Sequence, residues 1–201
     1  YASKLNIDKQ KIRVVSVMPC IAKKYEAKRP EMEADGVRDV DYVLTTRELA
    51  RMIKRADIDF KSLKEVIPSS PLAKYTGAGV IFGATGGVME AALRTVRDIL
   101  ENKDYTDVDF AALRGASDGI KEAELEIAGN KLTVAVVHGA VNFPEMFDRI
   151  KQNPSKYAFV EFMGCTGGCV NGGGQPVICA ETLETIDVRA ERAKALYNID
   201  A

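Results

Sequence analysis

Two cysteines four positions apart lie in a glycine-rich stretch near the end of the chain, and their chemistry suggests a cofactor site. Cys165 and Cys169 fall within 161–176, a stretch that also holds six glycines and follows a strand signal at 157–162. Thiolates are soft ligands that favour iron–sulfur clusters, zinc or Cu(I). Glycine allows backbone to turn tightly or to approach a bulky ligand. The stretch therefore indicates an inorganic cofactor; the alternative is a glycine-rich loop with two small buried cysteines.

A second group of reactive side chains follows the sequence Met-Pro near the start of the chain. Cys20 lies where a predicted strand at 12–18 gives way to a predicted helix at 20–28, and a helix N-terminus favours the metal-binding thiolate. Lys23 and Glu26 follow at three-residue steps, so both can lean toward the side that Cys20 occupies. A lysine there can donate hydrogen bonds to an anion, and a carboxylate can relay protons. The alternative is an ordinary mixture of charges on a solvated helix.

Composition excludes several classes of site. The 201 residues include one histidine, which argues against a histidine-based triad or a multi-histidine metal site. A net charge of −1 gives no basic field for nucleic acid or a membrane surface, and no apolar run reaches spanning length. The four cysteines have no regular disulfide spacing, which favours a reduced setting and predicts a cytoplasmic protein.

Strand and helix signals alternate along the chain, which predicts an α/β class with mixed, largely parallel sheets flanked by helices. The predicted strands are at 12–18, 41–44, 110–113, 123–127, 132–138 and 157–162. The predicted helices are at 20–28, 47–55, 88–100, 144–150 and 180–197.

Two long motifs carry a family resemblance. The first is Met-Pro-Cys-x-x-Lys-x-x-Glu, beginning at Met18, and the second is Glu-x-Met-x-Cys-x-x-Gly-Cys-x-x-Gly-Gly-Gly-Gln-Pro, beginning at Glu161. Together they resemble the catalytic domain of iron-only (FeFe) hydrogenases, and the stretches at 39–49 and 82–92 resemble that family too. The resemblance covers essentially the whole chain, and it implies part of the two-lobed fold of that domain.

The resemblance implies roles for individual residues. The family's centre is a 4Fe–4S cubane joined through one cysteine sulfur to a two-iron subsite that carries CO and cyanide. Cys20 and Cys165 would bind the cubane, and Cys169 would bind it and bridge to the subsite. Lys23 would hydrogen-bond a cyanide, and Glu26 would be a candidate proton carrier. The remaining cofactor-binding residues would be Met18, Pro19, Phe82, Met163, Gly172, Gly173 and Gln175, although the methionines and Phe82 also read as ordinary core residues.

One family motif, Thr-Ser-Cys-Cys-Pro, does not occur in 1–201. The resemblance would assign to it a fourth cubane ligand and a proton-donating cysteine. We therefore expect 1–201 to be the C-terminal part of one hydrogenase catalytic domain, inactive by itself and with its cluster absent or incomplete. Its expected partners are the N-terminal part of the hydrogenase and ferredoxin or another redox subunit, in an anaerobic bacterium.

Three alternatives remain open at the level of sequence. Non-catalytic relatives of the family act in iron–sulfur cluster assembly, and a hydrogen sensor would share the same motifs. A structural zinc could be held by Cys20, Cys165, Cys169 and His138. Outside the motifs, His138 is expected to be a satisfied core or loop histidine, and Cys179 a small core residue.

Overall fold

The computed structural model describes residues 1–66, 76–102, 110–115 and 118–200. The chain divides into two compact units. The first unit comprises Tyr1–Val66 and Gly172–Val177, and the second comprises Ile67–Asn171 and Ile178–Ala201. The second motif therefore contributes residues to both units, with its cysteines in the second unit and its Gly-Gly-Gly-Gln-Pro end in the first.

The first unit contains two short sheets and three helices. Strands β1 (Val15–Met18) and β4 (Tyr42–Thr45) pair in parallel, and β2 (Glu33–Ala34) pairs antiparallel with β3 (Val37–Arg38). The helices are α1 (Ala2–Leu5), α2 (Ala22–Glu26) and α3 (Thr46–Arg55). The strand predictions at 12–18 and 41–44 and the helix prediction at 47–55 are confirmed. The predicted helix at 20–28 is shorter than expected, because it begins only at Ala22.

A capping box fixes the start of α3 at the end of β4. The Thr45 hydroxyl accepts from the Glu48 amide at 3.2 Å, and the Glu48 carboxylate accepts from the Thr45 amide at 2.8 Å. Lys24 donates to the same carboxylate, and this bond lowers the pKa of Glu48 to about 2. Thr45 is therefore the N-cap residue of α3.

In its described residues, the second unit is built on one three-stranded sheet. Strands β5 (Ile120–Ile127) and β6 (Asn130–His138) form an antiparallel hairpin, and β6 pairs in parallel with β7 (Phe159–Met163). The strands predicted at 123–127 and 132–138 are confirmed, and the fold class is α/β with mixed pairing. The helices are α4 (Gly77–Val80), α5 (Gly87–Glu101), α6 (Phe143–Gln152), α7 (Ala180–Thr185) and α8 (Val188–Asp200).

Alternate residues of β6 pack into two different hydrophobic clusters. Val134 and Val136 belong to the cluster that includes Met89 and Leu93 of α5. Ala135 and Val137 belong to the cluster that includes Met146 of α6. Because successive side chains of a strand point to opposite faces, both faces of β6 are buried beneath helices. The run of apolar residues at 134–137 in the sequence reflects this central position.

Two predicted elements differ from the structure. Phe110–Leu113 was expected as a strand, but Ala111–Leu113 is a 3-10 turn that buries Phe110 and Leu113 in the core. Residues 180–197 were expected as one helix, but α7 and α8 are separate. The Asp187 carboxylate accepts from the amides of Arg189 and Ala190 and caps a new helix start, and these bonds lower the pKa of Asp187.

A buried group of charged side chains joins α5 to α8. The Glu90 side chain is fully buried and accepts from Arg94 and Arg114, each at 2.6 Å. Arg94 also donates to Asp200 at 2.7 Å, and this bond, followed by the pair with Glu90, raises the pKa of Arg94. The Arg114 guanidinium lies 4.2 Å above the ring of Tyr197. Removing one partner would leave uncompensated charge in the interior.

Replacing the central carboxylate should destabilise the protein strongly. We expect Glu90→Gln to lower the free energy of unfolding by about 3 to 5 kcal/mol, because two guanidinium groups lose their fully buried carboxylate partner. Chemical denaturation of the purified protein measures the change. Glu124→Gln, on the exposed face of β5, is the matched control and should change stability by less than about 0.5 kcal/mol. Equal effects of the two substitutions would contradict a structural role for the buried charges.

Candidate functional site

The first part of the candidate site follows β1. Met18 ends the strand, and Pro19 and Cys20 precede α2. Cys20 is half-buried, and Lys23 and Glu26 lie one turn apart on α2. The Lys23 ammonium contacts the Glu26 carboxylate at 2.6 Å, and both side chains are about two-fifths exposed. The two groups expected to serve a ligand and a proton path therefore pair with each other in this structure.

The end of the second motif is bonded to the first motif. The Gly174 amide donates to the Pro19 carbonyl at 2.8 Å. Arg47, in the first turn of α3, donates its amide to the Gly174 carbonyl at 3.2 Å and its guanidinium to the Gln175 carbonyl at 2.9 Å. A Cβ at Gly174 would lie 2.8 Å from the Cβ of Thr45, so glycine is required there. The structure thus brings Met18, Pro19 and Cys20 together with Gly172, Gly173 and Gln175.

The second part of the candidate site is the loop between Cys165 and Cys169, which follows β7. The Gly167 amide donates to Nδ1 of His138 at 3.1 Å, and the Gly167 carbonyl accepts from the Thr85 amide at 3.3 Å. Gly168 has a φ of +87°, and a Cβ there would lie 2.8 Å from the Thr85 nitrogen. The cysteine loop therefore packs, backbone against backbone, on the turn that follows Phe82.

His138 lies at the end of β6, directly opposite Met163 in the sheet register. Its side chain is almost completely buried, and burial is the largest influence that lowers its pKa, although the Asp118 backbone opposes the shift. The expectation of a core histidine is confirmed, but that of a satisfied one is wrong, because Nε2 is buried and has no hydrogen-bond partner among the described residues. Because Nδ1 accepts from an amide, the imidazole is neutral, with its proton on Nε2.

Glu161, the first residue of the second motif, caps α5. Its carboxylate is buried and accepts from the amide of Gly86 at 2.9 Å and from that of Met89 at 2.7 Å. Gly86 is the N-cap residue and has no side chain with which to satisfy these amides. The carboxylate from β7 replaces the missing cap and also complements the helix dipole.

The last helix supports both segments of the second part. Arg192 of α8 donates to the Val170 carbonyl at 3.0 Å, directly after Cys169. The Leu196 side chain lies 2.7 Å from the position that a Cβ at Gly83 would take, next to Phe82. Sequence reasoning missed Arg192 and Leu196, because a charged helix outside the motifs gives no local signal for these contacts.

Three apolar site residues are more exposed than core residues would be. Met18 and Met163 are half-buried, and Phe82 is 48% exposed. The exposure of Phe82 is unlike that of an ordinary core residue, whereas the two partly buried methionines are compatible with either interpretation. The expectation for Cys179 is also wrong: its thiol is exposed, 3.0 Å from the Thr182 hydroxyl at the start of α7, and this contact lowers the pKa of the thiol.

The donor chemistry fits an iron–sulfur cofactor. The four cysteines carry thiols rather than disulfides, and Cys20, Cys165 and Cys169 are all at least partly exposed. Among the described residues, a Cβ at Gly164 would meet no atom within 4 Å, and one at Gly173 would meet only Ile21 at 3.9 Å. Neither glycine has a positive φ. Packing within the described chain thus does not require glycine at these two positions. A bulky inorganic group beside the cysteines would require it, because the group needs the space that a side chain would fill.

Cys20 lies in the first unit, and Cys165 and Cys169 lie in the second. Throughout the described ranges, no set of three or more His, Cys, Asp or Glu side chains is grouped so that it could hold a metal ion. The three motif cysteines instead offer soft sulfur ligands on two separately anchored segments, which is the ligand type that iron–sulfur clusters use.

Comparison with known proteins identifies the family. The family model described as "Iron only hydrogenase large subunit, C-terminal domain" matches residues 1–173. Iron hydrogenase 1 of Clostridium pasteurianum is 50% identical over 200 residues, which cover 100% of this chain and 35% of that protein. The periplasmic [Fe] hydrogenase large subunit of Nitratidesulfovibrio vulgaris is 49% identical over 194 residues, which cover 96% of this chain and 46% of that protein. The chain therefore belongs to the iron-only hydrogenase family.

A solved structure and a more distant relative extend the comparison. Apo [FeFe]-hydrogenase HydA1 from Chlamydomonas reinhardtii aligns with a TM-score of 0.72 and 33% identity, over 99% of this chain and 56% of that chain. The cytosolic Fe-S cluster assembly factor narfl of Xenopus tropicalis is 34% identical over 98% of this chain and 42% of that protein. The chain thus spans about a third to a half of the length of the curated relatives it matches. None of the described helices is long and apolar enough to cross a membrane.

Removal of the Glu161 cap should loosen the start of α5. We expect Glu161→Ala to lower the free energy of unfolding by about 1 to 3 kcal/mol, because two buried amides lose their acceptor. Glu161→Gln keeps one acceptor oxygen and should have a smaller effect. Chemical denaturation measures the stability, and hydrogen exchange at the amides of Gly86 and Met89 locates the change. Unchanged exchange at these two amides in Glu161→Ala would contradict the capping role.

Proposed function

We propose that this chain forms part of the catalytic domain of an iron hydrogenase that reversibly interconverts H2 with protons and electrons. The observation that carries this proposal is the backbone contact between the cysteine loop and the turn after Phe82. That contact makes the 82–92 stretch part of the candidate site, and the resemblance of this stretch to hydrogenases favours them over the non-catalytic relatives. Identity of about half with named hydrogenases, against about a third with the assembly factor, supports the same choice.

The proposed ligands of the cluster are the three motif cysteines. Cys20 and Cys165 would bind a 4Fe–4S cluster, and Cys169 would bind the cluster and a two-iron subsite with CO and cyanide. The metal centre would supply the redox chemistry and the cleavage of the H–H bond, while the protein would supply burial, orientation and proton transfer. The half-exposed Met18 and Met163 and the exposed Phe82 are proposed to shield the centre from water.

Lys23 and Glu26 are proposed to act at the same centre. An ammonium donor is suited to an anionic cyanide, because a charge-assisted hydrogen bond is short and strong. Glu26 would carry protons, and its present contact with Lys23 would be exchanged for contacts with the ligand. We further propose ferredoxin or another redox subunit as the electron partner, in the cytoplasm, although the periplasmic relative shows that the family also includes proteins elsewhere.

A single cysteine substitution tests the proposal in the full-length protein that contains this chain, matured anaerobically. We expect Cys169→Ala to abolish hydrogen evolution and to remove the infrared bands of metal-bound CO and cyanide, because the bridge to the two-iron subsite is lost. Cys179→Ala is the matched control: it removes an exposed thiol outside the motifs and should leave both signals unchanged.

The results of these measurements distinguish a hydrogenase from a related protein of cluster assembly or hydrogen sensing. Parental hydrogen evolution in Cys169→Ala would overturn the proposed role of this residue. A parent protein that binds a 4Fe–4S cluster but has neither infrared bands nor hydrogen evolution would instead support a role in cluster assembly. Bands together with very low turnover would support a hydrogen sensor.

A further inference from the structure

We propose that His138 is a positioning residue for the cluster-binding loop, in which it holds the peptide of Gly167 midway between Cys165 and Cys169. This inference rests on the proposed function, because it takes these two cysteines to be ligands of an iron–sulfur cluster. His138 would not itself bind iron. Its contribution would be to fix the backbone that carries both sulfur ligands.

The loop needs a restraint from outside itself. Gly167 and Gly168 both have positive φ, at +79° and +87°. Glycine adopts this conformation without a steric penalty, but it also loses more conformational freedom on ordering than any other residue. Two adjacent glycines therefore form the part of the loop that is most costly to hold in one conformation. Hydrogen bonds to fixed groups can offset that cost.

His138 and Thr85 together hold both polar groups of Gly167. The amide donates to His138 Nδ1, and the carbonyl accepts from the Thr85 amide. The Thr85 bond is at the long end of the normal range, at 3.3 Å, whereas the His138 bond is 3.1 Å. Loss of His138 would leave the residue held on one side only, by the longer of the two bonds.

The imidazole is a rigid anchor because its own backbone is fixed on both sides. The His138 amide donates to the Gly119 carbonyl at 2.9 Å, and the His138 carbonyl accepts from the Asn142 side chain at 2.8 Å. In the sheet, His138 pairs with Met163, two residues before Cys165. The Gly139 amide also donates to the Met163 carbonyl, at 2.9 Å. The histidine is thus tied to the strand that delivers the loop, and its side chain reaches ahead to the loop's centre.

Outer groups that orient metal ligands commonly contribute 10-fold to 100-fold to metal affinity. His138 would act in this way through the backbone rather than through a ligand side chain. The residue that can replace it is one with an acceptor atom at the position of Nδ1. Asparagine has such an oxygen, whereas leucine fills similar space without any polar atom.

The test compares three variants of the full-length, anaerobically matured protein. His138→Leu removes the acceptor, and His138→Asn keeps one. Val137→Ala is the matched control, since it weakens the neighbouring core position on the same strand without touching the loop. The measurements are the rate of iron loss to a chelator, hydrogen exchange at the Gly167 amide, and the infrared bands of CO and cyanide.

We expect His138→Leu to lose iron about 10-fold faster than the parent, with faster exchange at Gly167 and shifted infrared bands. His138→Asn should restore near-parental values, and Val137→Ala should leave all three measurements near those of the parent. If His138→Leu and Val137→Ala lost iron at the same rate and had the same bands, the positioning role would be overturned and the hydrogenase assignment would stand. A parent with no such bands would instead overturn the proposed function, and the iron-loss and exchange measurements would still test His138 against a bare 4Fe–4S cluster.

Discussion

The buried carboxylate of Glu161 is the contact on which the second part of the site depends. It joins β7, which leads directly into the cysteine loop, to the first turn of α5, which follows the Phe82 turn. An uncapped helix start and a buried unpaired carboxylate would each be unfavourable, but together they satisfy one another. The backbone contacts of Gly167 and Gly168 with the Phe82 turn join the same two segments.

The supporting structure of the site extends beyond the residues that define the family. The match to the family model ends at residue 173, yet α8 spans Val188–Asp200 and contacts both the segment after Cys169 and the turn next to Phe82. Arg192 holds the turn after Cys169, and the pair between Arg94 and Asp200 anchors the end of the helix to α5. The buried charges of Glu90, Arg94 and Arg114 thus serve the position of α8 as well as that of α5.

The sequence predicted the class of fold and the chemistry of the site, because both depend on local patterns. Apolar runs located most strands, and the cysteine spacing indicated an inorganic cofactor. The cap formed by Glu161 was not predicted, because its helix lies about 75 residues earlier in the chain. The strand predicted at 110–113 was wrong because burial of Phe110 and Leu113 fits a tight turn as well as a strand. The break between α7 and α8 depends on one side chain, Asp187, whose capping role is hidden in a charged helical pattern.

The glycines of the second motif fall into two physical kinds. Gly168 and Gly174 are required by the chain itself, since a side chain at either would collide with neighbouring atoms. Gly164 and Gly173 have open space around them in the described structure. A genetic selection for folded, protease-resistant protein would therefore conserve the first pair and allow the second pair to drift. Only a selection for protein that binds its metal cofactor would conserve all four glycines. The two kinds of selection should therefore leave different patterns of substitution at these positions.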